Sequence, residues 1–239
     1  MTKDPIDLII IPARGGSKGI PRKNLQFVAG LPLIAWTIRC AIEVASSNTK
    51  STHVLVSTDD EEIAQVARTF GADVPFIRPA YLASDTARSH DVVLHALDWV
   101  IEHVSSVDQV VIMQCTSPFT DASDILAALQ TCRDSGDPVV AVAETSRPAD
   151  LFYTLPEKRL HPVLTTPMID ARRQERKVNF AISGNFYIAS SKWTYEHDHL
   201  IIPEVTMGHV IDQHRAYDID EPLDLVIANA VAAHFGWGE

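Results

Sequence analysis

The chain has 239 residues, 46% of them hydrophobic and 21% charged, with 10 glycines and 14 prolines; this is the composition of a folded globular chain and excludes disorder as its main state. A formal charge of -11 excludes a general nucleic-acid binder, which needs a broad basic face to neutralise phosphates. No apolar run approaches the roughly 18 residues of a membrane span, and Met1-Thr2-Lys3-Asp4-Pro5 lacks the positive-then-apolar order of a secretory signal, so a cytoplasmic protein without membrane association is expected.

From the N-terminus, short β-branched-rich runs alternate with segments of helical period. Strands are expected at 8–11, 54–56, 110–113 and 139–142, and helices at 33–44, 61–70, 91–104 and 123–132. Gly71 and Gly136 stand where helix-ending glycines commonly fall. Continuous apolar strands covered by helices imply an α/β fold with a parallel or mostly parallel sheet. Cys40, Cys115 and Cys132 are odd in number, widely spaced and set inside apolar or helical patterns, so they are expected to be reduced core residues.

After residue 145 the rhythm breaks at Pro148, Pro156, Pro162 and Pro167, and a charge cluster follows at 170–177. Residues 145–182 therefore form an insert within a single domain spanning 1–239. The rhythm returns with an aromatic strand at 185–189, a strand around 216–219 and a last helix from Pro222 to about Phe235.

The first strand runs into Pro12-Ala-Arg-Gly-Gly-Ser-Lys-Gly-Ile-Pro-Arg-Lys-Asn24, and in an open parallel sheet ligands bind at the carboxyl ends of strands. Gly15, Gly16 and Gly19 let the backbone approach phosphate oxygens, while Arg14, Lys18 and Lys23 supply countercharge for a triphosphate. Residues 1–24 carry five basic against two acidic side chains on an otherwise acidic chain, which suits a small polyanion. Neither G-x-x-x-x-G-K-[ST] nor G-x-G-x-x-G is present; the alternative is a solvated basic turn.

Asp218 and Asp220 lie two apart on a segment of strand character, so their carboxylates point to one side and can share a hard cation, Mg²⁺ being the natural candidate. The alternative for Asp220 is a cap on the last helix, and Asp224 is expected to face that helix's dipole. The ten histidines are scattered, and nothing resembles a zinc site. Arg78 and the Ala83-Ser-Asp-Thr86 turn follow a second strand-helix unit and can reach the same crevice. Gln114 ends the third strand, where an amide can orient a ligand, with hydroxyls following in Thr116-Ser-Pro118.

The run from Ala13 to Asn24 resembles the signature of the N-acylneuraminate cytidylyltransferases, the CMP-sialic acid synthetases. The resemblance continues through Val56-Ser-Thr-Asp-Asp60, Arg78-Pro-Ala-Tyr-Leu-Ala-Ser-Asp-Thr86, Gln114-Cys-Thr-Ser-Pro118, Arg172-Arg-Gln174, Ser183-Gly-Asn-Phe-Tyr187 and Tyr217-Asp-Ile-Asp-Glu-Pro-Leu-Asp224. Lys23-Asn24 separates the chain from the related CMP-Kdo synthetases, which carry Lys-Pro there. The family often has Asn-Gly where this chain has Ser183-Gly184, and Leu200-Ile201 replaces paired aromatics that some bacterial members use near the sugar.

The resemblance implies a Rossmann-like nucleotidyltransferase fold and transfer of CMP from CTP to a sialic acid, with other acids of the type (legionaminic, pseudaminic, Kdn, Kdo) or a non-catalytic nucleotide-binding protein as alternatives. It implies nucleotide contacts from Arg14, Gly15, Gly16, Ser17, Lys18, Lys23, Asn24, Arg78, Ser84 and Arg88. Contacts to an acidic nine-carbon sugar are implied for Gln114, Arg173, Gln174 and Tyr187, the arginine fork suiting its carboxylate. Arg14, Lys23, Asp218 and Asp220 become the catalytic set, with Mg²⁺ on the two aspartates, and residues 145–182 become the dimerisation element of a homodimer with shared sites.

Overall fold

A computed structural model describes residues 4–145, 149–163 and 178–238. In chain order the elements are β1 (Ile6–Pro12), β2 (Phe27–Val28), β3 (Leu31–Pro32), α1 (Leu33–Ser47), β4 (Thr52–Ser57), α2 (Glu61–Thr69), α3 (Ser89–His103), β5 (Val107–Met113), α4 (Ala122–Ser135), β6 (Val139–Glu144), β7 (Tyr153–Thr154), β8 (His161–Pro162), β9 (Phe180–Ser190), α5 (Ser191–Glu196), β10 (Met207–Val210) and α6 (Pro222–Phe235).

The main sheet has the order β10-β6-β9-β5-β1-β4. Pairings β1 with β4, β1 with β5 and β6 with β10 are parallel, whereas β9 runs antiparallel between β5 and β6. The sheet is thus mostly parallel, as expected, with one reversed strand. The chain passes from β1 to β4 on one side and then crosses to β5 on the other, so the order reverses at β1, and a crevice opens beyond its carboxyl end.

Alternate side chains of β1 serve two cores. Ile9 and Ile11 pack with α1, α2 and α4 residues such as Ile38, Ile63 and Leu129, while Leu8 and Ile10 pack with Val93, Leu97 and Val100 of α3. Burial on both faces is why this strand reads as an unbroken apolar run. Asp60 and Asp121 cap α2 and α4 by accepting from Ile63 N at 3.0 Å and Ser123 N at 2.9 Å. Gly136 ends α4 at φ 79°, a left-handed conformation that glycine takes without a Cβ penalty. The three cysteines are free and buried.

Two sequence expectations change. Residues 216–219 form an extended connection outside any sheet; Ile219 N donates to Thr116 O at 2.9 Å in a loop and finds no strand partner. The aromatic strand is longer than 185–189, because Phe180 to Ile182 already pair with β6, so the end of the 145–182 insert belongs to the main sheet. Within that insert β7 and β8 form a separate two-stranded antiparallel ladder.

At the amino end of the sheet, opposite the crevice, Asp7 is fully buried and is met by the Arg133 guanidinium and by Asn48 Nδ2 at 2.7 Å. Burial outweighs these partners and raises the Asp7 pKa. Removing the cation strands a buried carboxylate, so Arg133→Met should cost about 3 kcal/mol at neutral pH, measured by urea denaturation. With its folded pKa above the unfolded one, Asp7 takes up a proton first in the folded state as pH falls; the penalty should therefore shrink below that folded pKa.

Candidate functional site

The loop after β1 is built by its own side-chain and backbone contacts. Gly15 N donates to Asp59 Oδ1 at 2.9 Å, and a Cβ there would lie 2.7 Å from Asp60 Oδ2. A Cβ on Gly19 would lie 2.4 Å from the carbonyl oxygen of Asp220. These two glycines are required by close approach, whereas Gly16 faces open space. Asn24 is buried and donates to Arg14 O at 2.9 Å, closing the loop on itself.

Each loop cation is held by a carboxylate. Arg14 Nη1 and Lys18 Nζ reach the two oxygens of Asp85 at 2.8 and 2.9 Å. Arg22, in the left-handed region at φ 54°, pairs with Asp60 and Glu62. Its hydrogen bonds hold Asp60 below the usual carboxylate range. Lys23 Nζ donates to Ile219 O at 2.8 Å and Asp220 Oδ1 at 2.9 Å, tying the glycine-rich loop to the segment before α6 across the chain.

A cavity of about 510 Å³ lies between these groups, lined by Arg14, Ser17, Lys18, Gly19, Lys23, Asn24, Arg78, Ser84, Gln114, Thr116 and Asp220 among others. Arg78 is buried; its guanidinium donates to Ser57 O at 2.7 Å and Leu82 O at 3.3 Å, and its buried Nε has no partner among the described residues. Desolvation lowers its pKa. Ser84 is exposed on its turn and donates to Tyr81 O at 3.2 Å. Cys115 also lines the cavity, but burial pushes its thiol up to about 12, which leaves no thiolate nucleophile at neutral pH.

Two further cavities join at Gln114. One, of about 360 Å³, is lined by Arg88, Ile112, Gln114, Tyr187, Leu200 and Ile201 among others. Arg88 therefore lies beside the basic cavity instead of in it, and pairs with Asp198 at 3.2 Å. The other, of about 430 Å³, contains Gln114, Ser183, Gly184, Tyr187 and Asp218. Tyr187, paired with Ile112 and Val140 in the sheet, borders both; burial and the Asp218 charge raise its pKa. Arg173 and Gln174 lie outside the described residues.

The Asp218 carboxylate lies close to Thr116, which favours its charged form, and to Asp220, which opposes it. Desolvation in the crevice and the neighbouring Asp220 charge raise the Asp218 pKa, although the residue keeps access to solvent. Two carboxylates brought together, with Lys23 as their nearby cation, fit a divalent ion that takes one or two carboxylates and completes its shell with water and phosphate oxygens. Among the described residues no cluster of three or more His, Cys, Asp or Glu suited to a metal occurs. Asp220 does not cap α6: Glu221 does, in a reciprocal arrangement in which Asp224 Oδ2 accepts from Glu221 N at 2.7 Å.

Sequence reasoning assigned no individual role to Asp59, Asp85 or Asn185, and gave Thr116 only a hydroxyl beside Gln114. Asn185 is fully buried and donates to Thr120 Oγ1 at 2.9 Å and Arg215 O at 3.0 Å, bracing the chain that leads to Asp218. The available signal was electrostatic: a concentrated basic loop on a chain of charge -11 requires acidic partners from elsewhere.

A family model described as Cytidylyltransferase matches residues 8–187. The N-acylneuraminate cytidylyltransferase of Escherichia coli is 29% identical over 225 residues, which cover 92% of this chain and 51% of that protein; the chain spans about half of that relative's length. The pseudaminic acid cytidylyltransferase of Campylobacter jejuni is 31% identical, over 93% of this chain and 94% of that protein. The CMP-N,N'-diacetyllegionaminic acid synthase of Legionella pneumophila is 31% identical, over 91% and 92%. In fold, the chain is similar to a solved CMP:2-keto-3-deoxy-manno-octonic acid synthetase complexed with CTP, with a TM-score of 0.66 at 18% identity, covering 96% of this chain and 99% of that one. The chain belongs to the cytidylyltransferase family and is a CTP-dependent nucleotidyltransferase.

Because a Cβ on Gly19 collides with backbone, Gly19→Ala should push the loop off the 219–220 segment. We expect kcat/KM for CTP, followed by pyrophosphate release, to fall by roughly 10²-fold. Since the clash lies in a surface crevice, the thermal midpoint should stay within a few degrees.

Proposed function

We propose that this cytidylyltransferase transfers CMP from CTP to the anomeric hydroxyl of a sialic acid, an N-acylneuraminate, forming CMP-sialic acid and pyrophosphate. The observation that carries the reading is the meeting of three groups at one crevice: the basic glycine-rich loop, the Asp218–Asp220 pair, and Gln114, which borders all three cavities. Attack in line at the α-phosphorus needs positioning and charge neutralisation more than a covalent nucleophile.

In this reading Arg14, Lys18 and Lys23 offset charge on the triphosphate and the leaving pyrophosphate. Gly15, Gly16 and Ser17 offer loop backbone to phosphate oxygens, and Asn24, Arg78 and Ser84 contact the nucleoside, with Arg88 reaching from the adjoining cavity. Asp218 and Asp220 hold Mg²⁺, which when bound supplies positive charge to phosphate oxygen. Thr116, beside Asp218, favours the charged form of that carboxylate. Gln114 and Tyr187 position the sugar, and Arg173 and Gln174 are assigned to its carboxylate on the strength of the sequence motif.

A second reading concerns the acid. Relatives named for pseudaminic and diacetyllegionaminic acids are as similar as the Escherichia coli protein named for N-acylneuraminate, and aliphatic Leu200 and Ile201 line the cavity beside Tyr187. We further propose a homodimer through residues 145–182. Support comes from the apolar side chains this insert leaves in solvent: Leu155, Leu160 and Val163 are 61%, 69% and 58% exposed, and Phe180 and Ile182 at its end are exposed too.

Pyrophosphate release should require CTP, N-acetylneuraminate and Mg²⁺ together, and EDTA or any other nucleoside triphosphate should abolish it. Release with pseudaminate or legionaminate alone would move the assignment to that acid, and no release with any acid would overturn it. In the same assay Asp218→Asn should lose roughly 10²-fold or more with its circular dichroism unchanged; near-normal turnover would sink the metal assignment. Light scattering should give twice the 26.3 kDa chain mass for the active species; a fully active monomer would refute the shared-site dimer.

A further inference from the structure

Two of the carboxylates that meet the loop cations also serve other structures. Asp60 caps α2 through Ile63 N. Asp220 sits beside Asp218. Asp85 differs: among the described residues its side-chain partners are the two cations alone, with Arg14 on Oδ1 at 2.8 Å and Lys18 on Oδ2 at 2.9 Å. It faces the same cavity as both of them. One oxygen to each cation is the arrangement in which a phosphate group would use two of its own oxygens.

We propose that Asp85 is an internal counter-anion, a carboxylate that occupies Arg14 and Lys18 until a polyphosphate displaces it, and so sets how much phosphate charge a ligand must bring to bind. This rests on the assignment of Arg14 and Lys18 to the triphosphate made above.

Charge and exposure support displacement over a permanent clamp. The Asp85 side chain is 51% exposed and that of Lys18 76% exposed, so the pair lies in solvent, where ion pairs are weak and readily exchanged. The two cations hold the Asp85 carboxyl below its usual range, so it stays charged at working pH. The turn carrying Asp85 is closed by local bonds, Ser84 Oγ to Tyr81 O at 3.2 Å and Ala87 N to Ser84 O at 3.1 Å, and can shift without breaking sheet or helix. A ligand with a single weak negative charge gains little by replacing one carboxylate. A triphosphate brings several charges and outcompetes it, and after transfer the returning carboxylate opposes retention of pyrophosphate.

The test is calorimetric titration of wild type, Asp85→Asn and Asp85→Glu with CTP and with pyrophosphate, at fixed Mg²⁺ and ionic strength and without any sugar. Asp85→Asn, which keeps shape and removes charge, should bind both ligands roughly two- to five-fold more tightly. Asp85→Glu should return to wild-type values. In steady-state assays the pyrophosphate inhibition constant of Asp85→Asn should fall by the same factor. Unchanged or weaker binding by Asp85→Asn would overturn the proposal and make Asp85 a residue that aims the cations. If wild type itself binds neither CTP nor pyrophosphate, the phosphate assignment of the loop fails, and this inference with it. A merely structural role for Asp85 would lower the melting temperature without tightening any ligand.

Discussion

Compensation of charge at the carboxyl end of β1 is the constraint on which this molecule's chemistry depends. Four basic side chains between Arg14 and Lys23 stand on one loop of a chain whose formal charge is -11. Their mutual repulsion is relieved by carboxylates drawn from three distant segments: Asp60 and Glu62 at the start of α2, Asp85 on the following turn, and Asp220 before α6. These pairs draw the glycine-rich loop, the Asp85 turn and the acidic segment around one cavity. Salt bridges at a surface contribute little to stability; here they gather the basic side chains of one loop at the rim of that cavity.

The sheet supplies the geometry for that arrangement. Because strand order reverses at β1, the loops after β1 and β5 face each other across a crevice. The antiparallel strand β9 brings Gly184 and Tyr187 back alongside Gln114. Gly184 adopts φ 80° where β9 loses register with β6, a conformation that glycine takes easily. Asn185 then fixes the 215–218 segment by donating into two loops from a fully buried position. Asp218 and Asp220 converge on one side although their segment is no strand, since extended backbone alternates its side chains whether or not a neighbour pairs with it.

Parts of this were legible in the chain itself. The strands with residues alternating between two cores, such as Leu8 to Ile11, read as unbroken apolar runs and were placed within a few residues. The helix stops at Gly71 and Gly136 followed from local backbone chemistry. The run of glycine and basic residues after β1 pointed to phosphate through residue chemistry alone. By contrast, the alternation Ala-Tyr-Asp-Ile at 216–219 imitates a half-buried strand, yet no strand lies beside it. The short edge strand β10, Met207–Val210, carries too weak a pattern to announce itself.

The sequence by itself determined the α/β class, the reduced core cysteines and the residue types suited to a phosphate and a divalent cation, because periodicity, turn chemistry and charge are local properties. Only the tertiary structure decided that β9 runs antiparallel, that Arg78 is buried, that Arg88 borders the neighbouring cavity, and that Asp85 holds Arg14 and Lys18. Direction in a sheet and the choice of ion partner depend on which segments meet in space, and for Arg14 and Asp85 that meeting joins residues 71 positions apart.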